Sequence, residues 1–366
     1  MNRGLKEWTK RHPVEAFFVL GTAVCFATLF PAVLIVPQEV LLGQILSFYL
    51  GKIGVYSPVL AGMFVTRIIS PGRHKISFTR RLFVFLPVWI IAEIIHVAGI
   101  RPSVSPDTPL VLLIVLSVPA AVLPAFVLSS AFAGSDGVRR MLATLVRPTG
   151  KLVYYLVALL TFPVIHLVGA VITNILHGKA LFPQVSQGVD LAFTILITFF
   201  SVLLYSGGIN EESGWRGFAQ RRMQARLSPL IASLILWVLM VIWHIPNDIV
   251  QYQNGGYLLV RIALYPFITI LFAWVYNRTN GSILAPAVFH ASMNAMNPLV
   301  RILPITTAGN ILLVGFAVIV VIADRMWRKL PENHPAVYRD VAASASDALS
   351  DHHPPGACSA GEAHGN

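Results

Sequence analysis

Three polar groups interrupt the otherwise apolar last third of the sequence. They are the adjacent carboxylates Glu211 and Glu212 with Arg216, the single His244 at the end of an apolar run that meets Pro246, and the pair His290 and Asn294. An ionisable side chain inside a bilayer costs about 2.5–3.5 kcal/mol or more, so each one within an apolar stretch is a candidate for function. Arg216 follows Glu212 and Glu211 by four and five residues, within helical reach of either. His290 and Asn294, at i and i+4, share one helix face, and two polar groups on one face of an apolar helix point into a bundle and away from lipid. Taken singly, the first group reads as an interfacial salt bridge and His244 as a hydrogen-bonded packing residue, its helix stopped by proline.

Taken together, they contain what amide hydrolysis requires. A water must be activated by a general base, and the developing oxyanion needs fixed donors in a low-dielectric site. The expected base is Glu211, with His244 helping to hold the water. His290 and Asn294 are the expected oxyanion site, and Glu212 with Arg216 the orienting pair. No Ser or Cys stands in an evident nucleophile arrangement with these histidines, which argues against a covalent route. The expectation is therefore a site without a cofactor. The alternative enzyme reading gives one Glu and two His to Zn²⁺ with an open position for water, although the His-Glu-x-x-His helix is missing and Asn is a poor zinc ligand.

Two readings from other classes use the same residues: a non-catalytic membrane scaffold or self-immunity protein, and a transporter with a proton relay. Glu93 and His96, at i and i+3, support the relay, but a hydrogen-bonded structural pair is the simpler account, and no inverted repeat relates the halves.

The elements that must position these groups follow from composition. The 366 residues are 56% hydrophobic and 12% charged, with a mean hydropathy of +0.71, which excludes an ordinary soluble globule. The expected fold class is all-α, a polytopic transmembrane helical bundle of about ten spans. They centre on Phe17–Val36, Ile53–Ile69, Leu82–Ala98, Leu110–Phe132, Leu152–Leu176, Leu191–Gln220, Leu230–Ile245, Tyr257–Tyr276, Ser282–Ile302 and Asn310–Ala323. The chain divides into N-terminal helices (1–189), a catalytic core (190–305), a last span (306–328) and a disordered polar tail (329–366).

Basic residues orient the bundle. Arg3, Lys6, Lys10 and Arg11 precede the first span, and every second loop after it is basic, whereas the intervening ones hold little more than Lys52, Arg101, Lys179 and Arg301. That alternation places both termini in the cytoplasm of a cell-membrane protein. The net charge of +11 then faces anionic headgroups, so no nucleic acid is implied. The first span is longer than a secretory h-region and is read as retained. Cys25 in that span and Cys358 in the tail offer neither a disulfide framework nor a metal site, and His352, His353 and His364 read as solvated tail. With a rise of ~1.5 Å per residue from the basic ends, Glu211 lies roughly 15 Å deep, His290 roughly 17 Å, Asn294 roughly 23 Å and His244 roughly 24 Å. All fall near mid-membrane, as one shared polar cavity requires.

The segments Glu211-Glu212-x-x-x-Arg216, His244 and His290-x-x-x-Asn294, in that order, resemble the three signature motifs of the CPBP intramembrane protease family, the CAAX prenyl protease 2 or lysostaphin-resistance-protein-A-like proteins. The stretch Trp274–Ile283 is also similar, and the resemblance covers residues 190 to 300. One position departs: Met240 stands where the family has Phe four residues before its His, and a flexible apolar Met is a fitting replacement for a packing residue. The resemblance implies an intramembrane endopeptidase with Glu211, His244, His290 and Asn294 as catalytic residues and a membrane-associated peptide or protein as substrate. Eukaryotic relatives trim three residues after a prenylated Cys, and many bacterial ones are linked to self-immunity or to processing of membrane peptides.

Overall fold

The computed structural model describes residues 3–36, 40–72, 78–101, 105, 107–178, 188–251, 255–297 and 306–338. These residues form helices and turns. In chain order they are α1 (Arg3–Arg11), α2 (Pro13–Phe30), α3 (Leu41–Ile69), α4 (Phe78–Ile100), α5 (Leu110–Ala133), α6 (Asp136–Val146), α7 (Leu152–Leu176), α8 (Gly188–Tyr205), α9 (Ile209–Gly214), α10 (Arg221–Met223), α11 (Pro229–Gln251), α12 (Gly255–Arg278), α13 (Leu284–Ala295) and α14 (Thr307–Ala323). Wider π-helical stretches extend α2 over Pro31–Ile35 and join α9 to α10 over Trp215–Gln220. Helix is the form a chain takes in lipid, because each backbone N–H and C=O finds its partner within the segment.

Eight stretches are long and apolar enough to cross a membrane: Pro13–Ile35, Leu42–Ile69, Phe78–Ile100, Leu110–Ala133, Leu152–Leu176, Leu191–Met223, Pro229–Ile249 and Leu258–Arg278. The protein is thus a multi-pass membrane helical bundle. The ninth and tenth of the expected spans are shorter. α13 ends at Ala295, and residues 298–305 lie outside the described ones; α14 is an apolar helix of 17 residues. Large apolar side chains on the outward faces, such as Phe83, Val111 and Leu152, remain exposed, as they must where the surrounding solvent is hydrocarbon.

The core lies around α9. This short helix packs against α3, α8, α13 and α6, with the π-helical turn after it touching α11 and α12. The closest approach is Gly214 against the backbone of Pro58 in α3, where a Cβ would fall 2.6 Å from Pro58 atoms. Only a residue without a side chain lets the two helices meet there. The turn before α13 is equally fixed. Asn280 and Gly281 have φ of 55° and 77°. Thr144 Oγ1 at the end of α6 donates to Gly281 O at 2.7 Å, and Thr149 Oγ1 to Thr279 O at 2.8 Å.

Four expectations need correction. The span Leu191–Gln220 is broken: α8 stops at Tyr205 and α9 starts at Ile209, because Gly207 takes a φ of 131° that no helix accommodates. Pro246 does not stop α11, which runs on to Gln251; neighbouring helices re-satisfy the backbone group that proline frees. Lys52 is no loop residue, since α3 begins at Leu41 and carries it well inside the helix. Finally, the polar tail does not start at 329: Ala336 and Val337 are buried, Tyr338 N donates to Arg221 O at 2.9 Å, and the Arg222 guanidinium lies between the Phe218 and Tyr338 rings. Residues 331–338 form a strap across the basic end of α10 because they hold apolar and aromatic residues that the polar average of the tail concealed. Residues 339–366, with Cys358 and the three tail histidines, lie outside the described residues.

Candidate active site

The break before α9 is the starting point of the site. At Gly207 a Cβ would lie 2.2 Å from His290 Nε2, so the missing side chain makes room for the imidazole of α13. Asn210 closes the turn: its Oδ1 accepts from Gly207 N at 2.9 Å, and its Nδ2 donates to Val55 O of α3 at 2.9 Å. The next two residues, Glu211 and Glu212, are thereby held inside the bundle, 5% and 0% exposed.

Glu212 is the hub. His290 Nδ1 donates to its Oε1 at 2.9 Å, and Arg216 Nη1 lies 3.0 Å from its Oε2, one helical turn along. All three side chains are buried. A buried carboxylate that binds two cationic or donor groups is held in one rotamer, and each partner loses a counter-charge if it is removed. Arg216 is further packed with its guanidinium 4.6 Å above the Phe272 ring and with Nη1 3.8 Å from Met240 Sδ. Met240, the position that departs from the family's Phe, therefore offers a sulfur to a buried guanidinium and does more than line a cavity. The Glu211 Oε2 atom is buried without a hydrogen-bond partner among the described residues. A buried carboxylate oxygen without a protein partner is where a water fits.

His244 enters from the other side, on α11. Its Nδ1 donates to Met240 O at 2.8 Å, which leaves Nε2 as an acceptor, 3.5 Å from the Tyr265 hydroxyl of α12. Behind it, Trp243 Nε1 donates to Ser57 Oγ at 2.9 Å, and Cys25 Sγ lies 3.4 Å from Trp243 O, tying α11 to α3 and α2. Asn294, one turn beyond His290, is half-buried and makes no side-chain hydrogen bond to the described residues. The structure thus joins Glu212, Arg216 and His290 directly and links them through Met240 to His244. Glu211 is buried next to Glu212 in α9, and Asn294 is half-buried one turn beyond His290.

Three residues escaped the sequence reading. Arg261 of α12 donates to the Tyr265 hydroxyl and pairs with Asp248 of α11 at 3.1 Å. Asp248 lies one turn beyond His244, so the set Asp248, Arg261 and Tyr265 stands behind that histidine. The signal was present, since two opposite charges flank the α11–α12 turn inside apolar helices; stopping the helix at Pro246 hid it. The pair Glu93 and His96 is also corrected. Among the described residues neither Glu93 oxygen nor His96 Nδ1 has a hydrogen-bond partner, and the His96 ring turns into an aromatic cluster, 5.3 Å from Phe48 and 4.9 Å from Tyr205.

Among the described residues no three His, Cys, Asp or Glu side chains are grouped so as to hold a metal ion.

Residues 191–296, which contain every one of these groups on α8 to α13, match the model of the type II CAAX prenyl endopeptidase Rce1-like family. Through this segment the chain is similar to the CPBP family. A CAAX prenyl protease 2 of Methanococcus maripaludis is 27% identical over 186 residues, covering 48% of this chain and 68% of the relative. Both likenesses support the activity class of a protease, a hydrolase of peptide bonds, for this multi-pass membrane protein.

Proposed function

We propose that this protein is an intramembrane endopeptidase that cleaves CAAX-type or other lipid-anchored peptides with a water activated by Glu211. The observation that carries the reading is the division of labour between adjacent carboxylates: Glu212 accepts from His290 and is ion-paired with Arg216, whereas Glu211 Oε2 is buried with neither a hydrogen bond nor an ion pair among the described residues. Glu211 takes a proton from a water that His244 Nε2 helps to hold, and the oxygen attacks the scissile carbonyl carbon. His290, in its imidazolium form against Glu212, and the Asn294 amide donate to the oxyanion. As the tetrahedral species collapses, the C–N bond breaks and Glu211 returns its proton to the leaving amine. No step of this route requires a metal.

The preference for a lipid-anchored substrate is supported by the name of the methanococcal relative and by the apolar faces through which a membrane-held peptide would approach. We also propose that both termini and the mouth of the site lie on the cytoplasmic face of the cell membrane. The basic residues of α1, α6, α10 and the α14 end support this orientation.

The test is cleavage of a farnesylated peptide by purified protein in detergent, with Glu211→Gln alongside. The proposed base predicts a fall of about 10²–10⁴-fold in kcat. Undiminished cleavage by a folded Gln variant sinks the assignment, and no cleavage of any lipidated peptide by the unmodified protein sinks the function.

A further inference from the structure

Three cationic side chains stand close to the site inside the bundle, and two are neutralised within the protein: Arg216 by Glu212 at 3.0 Å and Arg261 by Asp248 at 3.1 Å. The third is Lys52 of α3. Its Nζ lies 5.2 Å from the ring centroids of both Phe48 and Tyr205, and it forms no ion pair or hydrogen bond with the described residues. Two aromatic faces offset part of the cost of an ammonium in an apolar helix, but they leave its strongest interaction, with an anion, unmade. Glu93 stands on α4 near Tyr205 without pairing with Lys52, and both its oxygens lack partners. The same cluster holds two further buried polar atoms without partners, His96 Nδ1 and the Tyr205 hydroxyl. An ammonium flanked by a phenol and an imidazole is a donor set for one carboxylate.

The cluster adjoins the catalytic segment at two points. Tyr205 ends α8 and is followed, across Ser206, by Gly207, the residue that makes room for His290. Lys52 lies one helical turn from Val55, whose carbonyl accepts from Asn210 beside Glu211.

We propose that Lys52, with the Tyr205 hydroxyl beside it, binds the free C-terminal carboxylate of the peptide substrate and so directs cleavage to bonds near the chain end. This rests on the endopeptidase reading above and names the feature of the substrate that the site measures. An interior peptide bond far from a chain end has no carboxylate to offer Lys52 and is a poor substrate.

The experiment compares one farnesylated peptide, three apolar residues beyond its modified Cys, as the free acid and as the C-terminal amide. The unmodified protein cleaves the acid about 10- to 100-fold better in kcat/KM, the range that a charge-assisted hydrogen bond supports. In Lys52→Met this ratio collapses to within about twofold; in Lys52→Arg, which keeps the charge, most of it survives. If the Met variant does not fold, the acid-to-amide ratio of the unmodified protein and inhibition by the tripeptide acid against its amide decide the matter. Equal cleavage of acid and amide, or an unchanged ratio in Lys52→Met, overturns the proposal and leaves the endopeptidase standing. Failure to cleave either peptide overturns both.

Discussion

Glu212, and not Glu211, is the carboxylate that holds His290, with Oε1 accepting from Nδ1 at 2.9 Å. Because the other oxygen of Glu212 faces Arg216 at 3.0 Å, neutralising this residue strips a fully buried guanidinium of its counter-charge. Glu212→Gln should therefore cost about 3–5 kcal/mol of stability, read as a lower unfolding temperature in detergent, together with lost cleavage. Glu211→Gln should lose cleavage with little change in unfolding temperature. Equal thermal effects of the two variants would contradict the division of roles.

Gly207 is the residue whose substitution should damage the site without replacing any ionisable group. An added methyl would stand 2.2 Å from His290 Nε2 at a φ of 131°, so Gly207→Ala should cost about 1–3 kcal/mol in strain and displacement. Cleavage should fall at least tenfold, on the order of 1.4 kcal/mol in the barrier. Unimpaired turnover by this variant would show that the imidazole need not occupy its place against the break.

Chelation separates the bare carboxylate from a zinc-bound water. If Glu211 activates the water without a metal, exhaustive treatment with a strong chelator leaves the cleavage rate unchanged, and elemental analysis finds no stoichiometric zinc. Loss of activity restored by added Zn²⁺ would reverse the mechanism.

Tyr265 is expected to position His244 through its hydroxyl, 3.5 Å from Nε2 and itself held by Arg261. Tyr265→Phe should lower kcat roughly three- to tenfold, the worth of one hydrogen bond of about 1 kcal/mol, with KM nearly unchanged. A rise in KM at constant kcat would instead place Tyr265 on the substrate.

The reason these groups were visible before the fold is physical. Glu211, Glu212, His244 and His290 are polar residues in apolar runs, and in a membrane such residues must meet one another. What remained hidden depended on helix boundaries. Reading Pro246 as a stop removed Asp248 from the bundle and with it the partner of Arg261. Starting the second span at Ile53 placed Lys52 in water, whereas α3 begins at Leu41. The break between α8 and α9 was masked because Gly207-Gly208 is apolar in any hydropathy average, although two adjacent glycines are a turn signal. The buried strap of 331–338 was averaged into a polar tail for the same reason.

The π-helical stretch Trp215–Gln220 lies between the carboxylates and the basic end formed by Arg221 and Arg222. Such a stretch carries one more residue per turn than an α-helix, so it sets the phase between the two ends of the segment as a gear sets two shafts. At one end Glu212 must face His290; at the other Arg222 must face Tyr338. Removing a single residue from this stretch would turn one end by about 100° relative to the other, and no side-chain replacement could bring both back. The length of these six residues is thus as tightly constrained as the identity of the glutamates, and insertions or deletions here should be far less tolerated than in any connecting turn of the bundle.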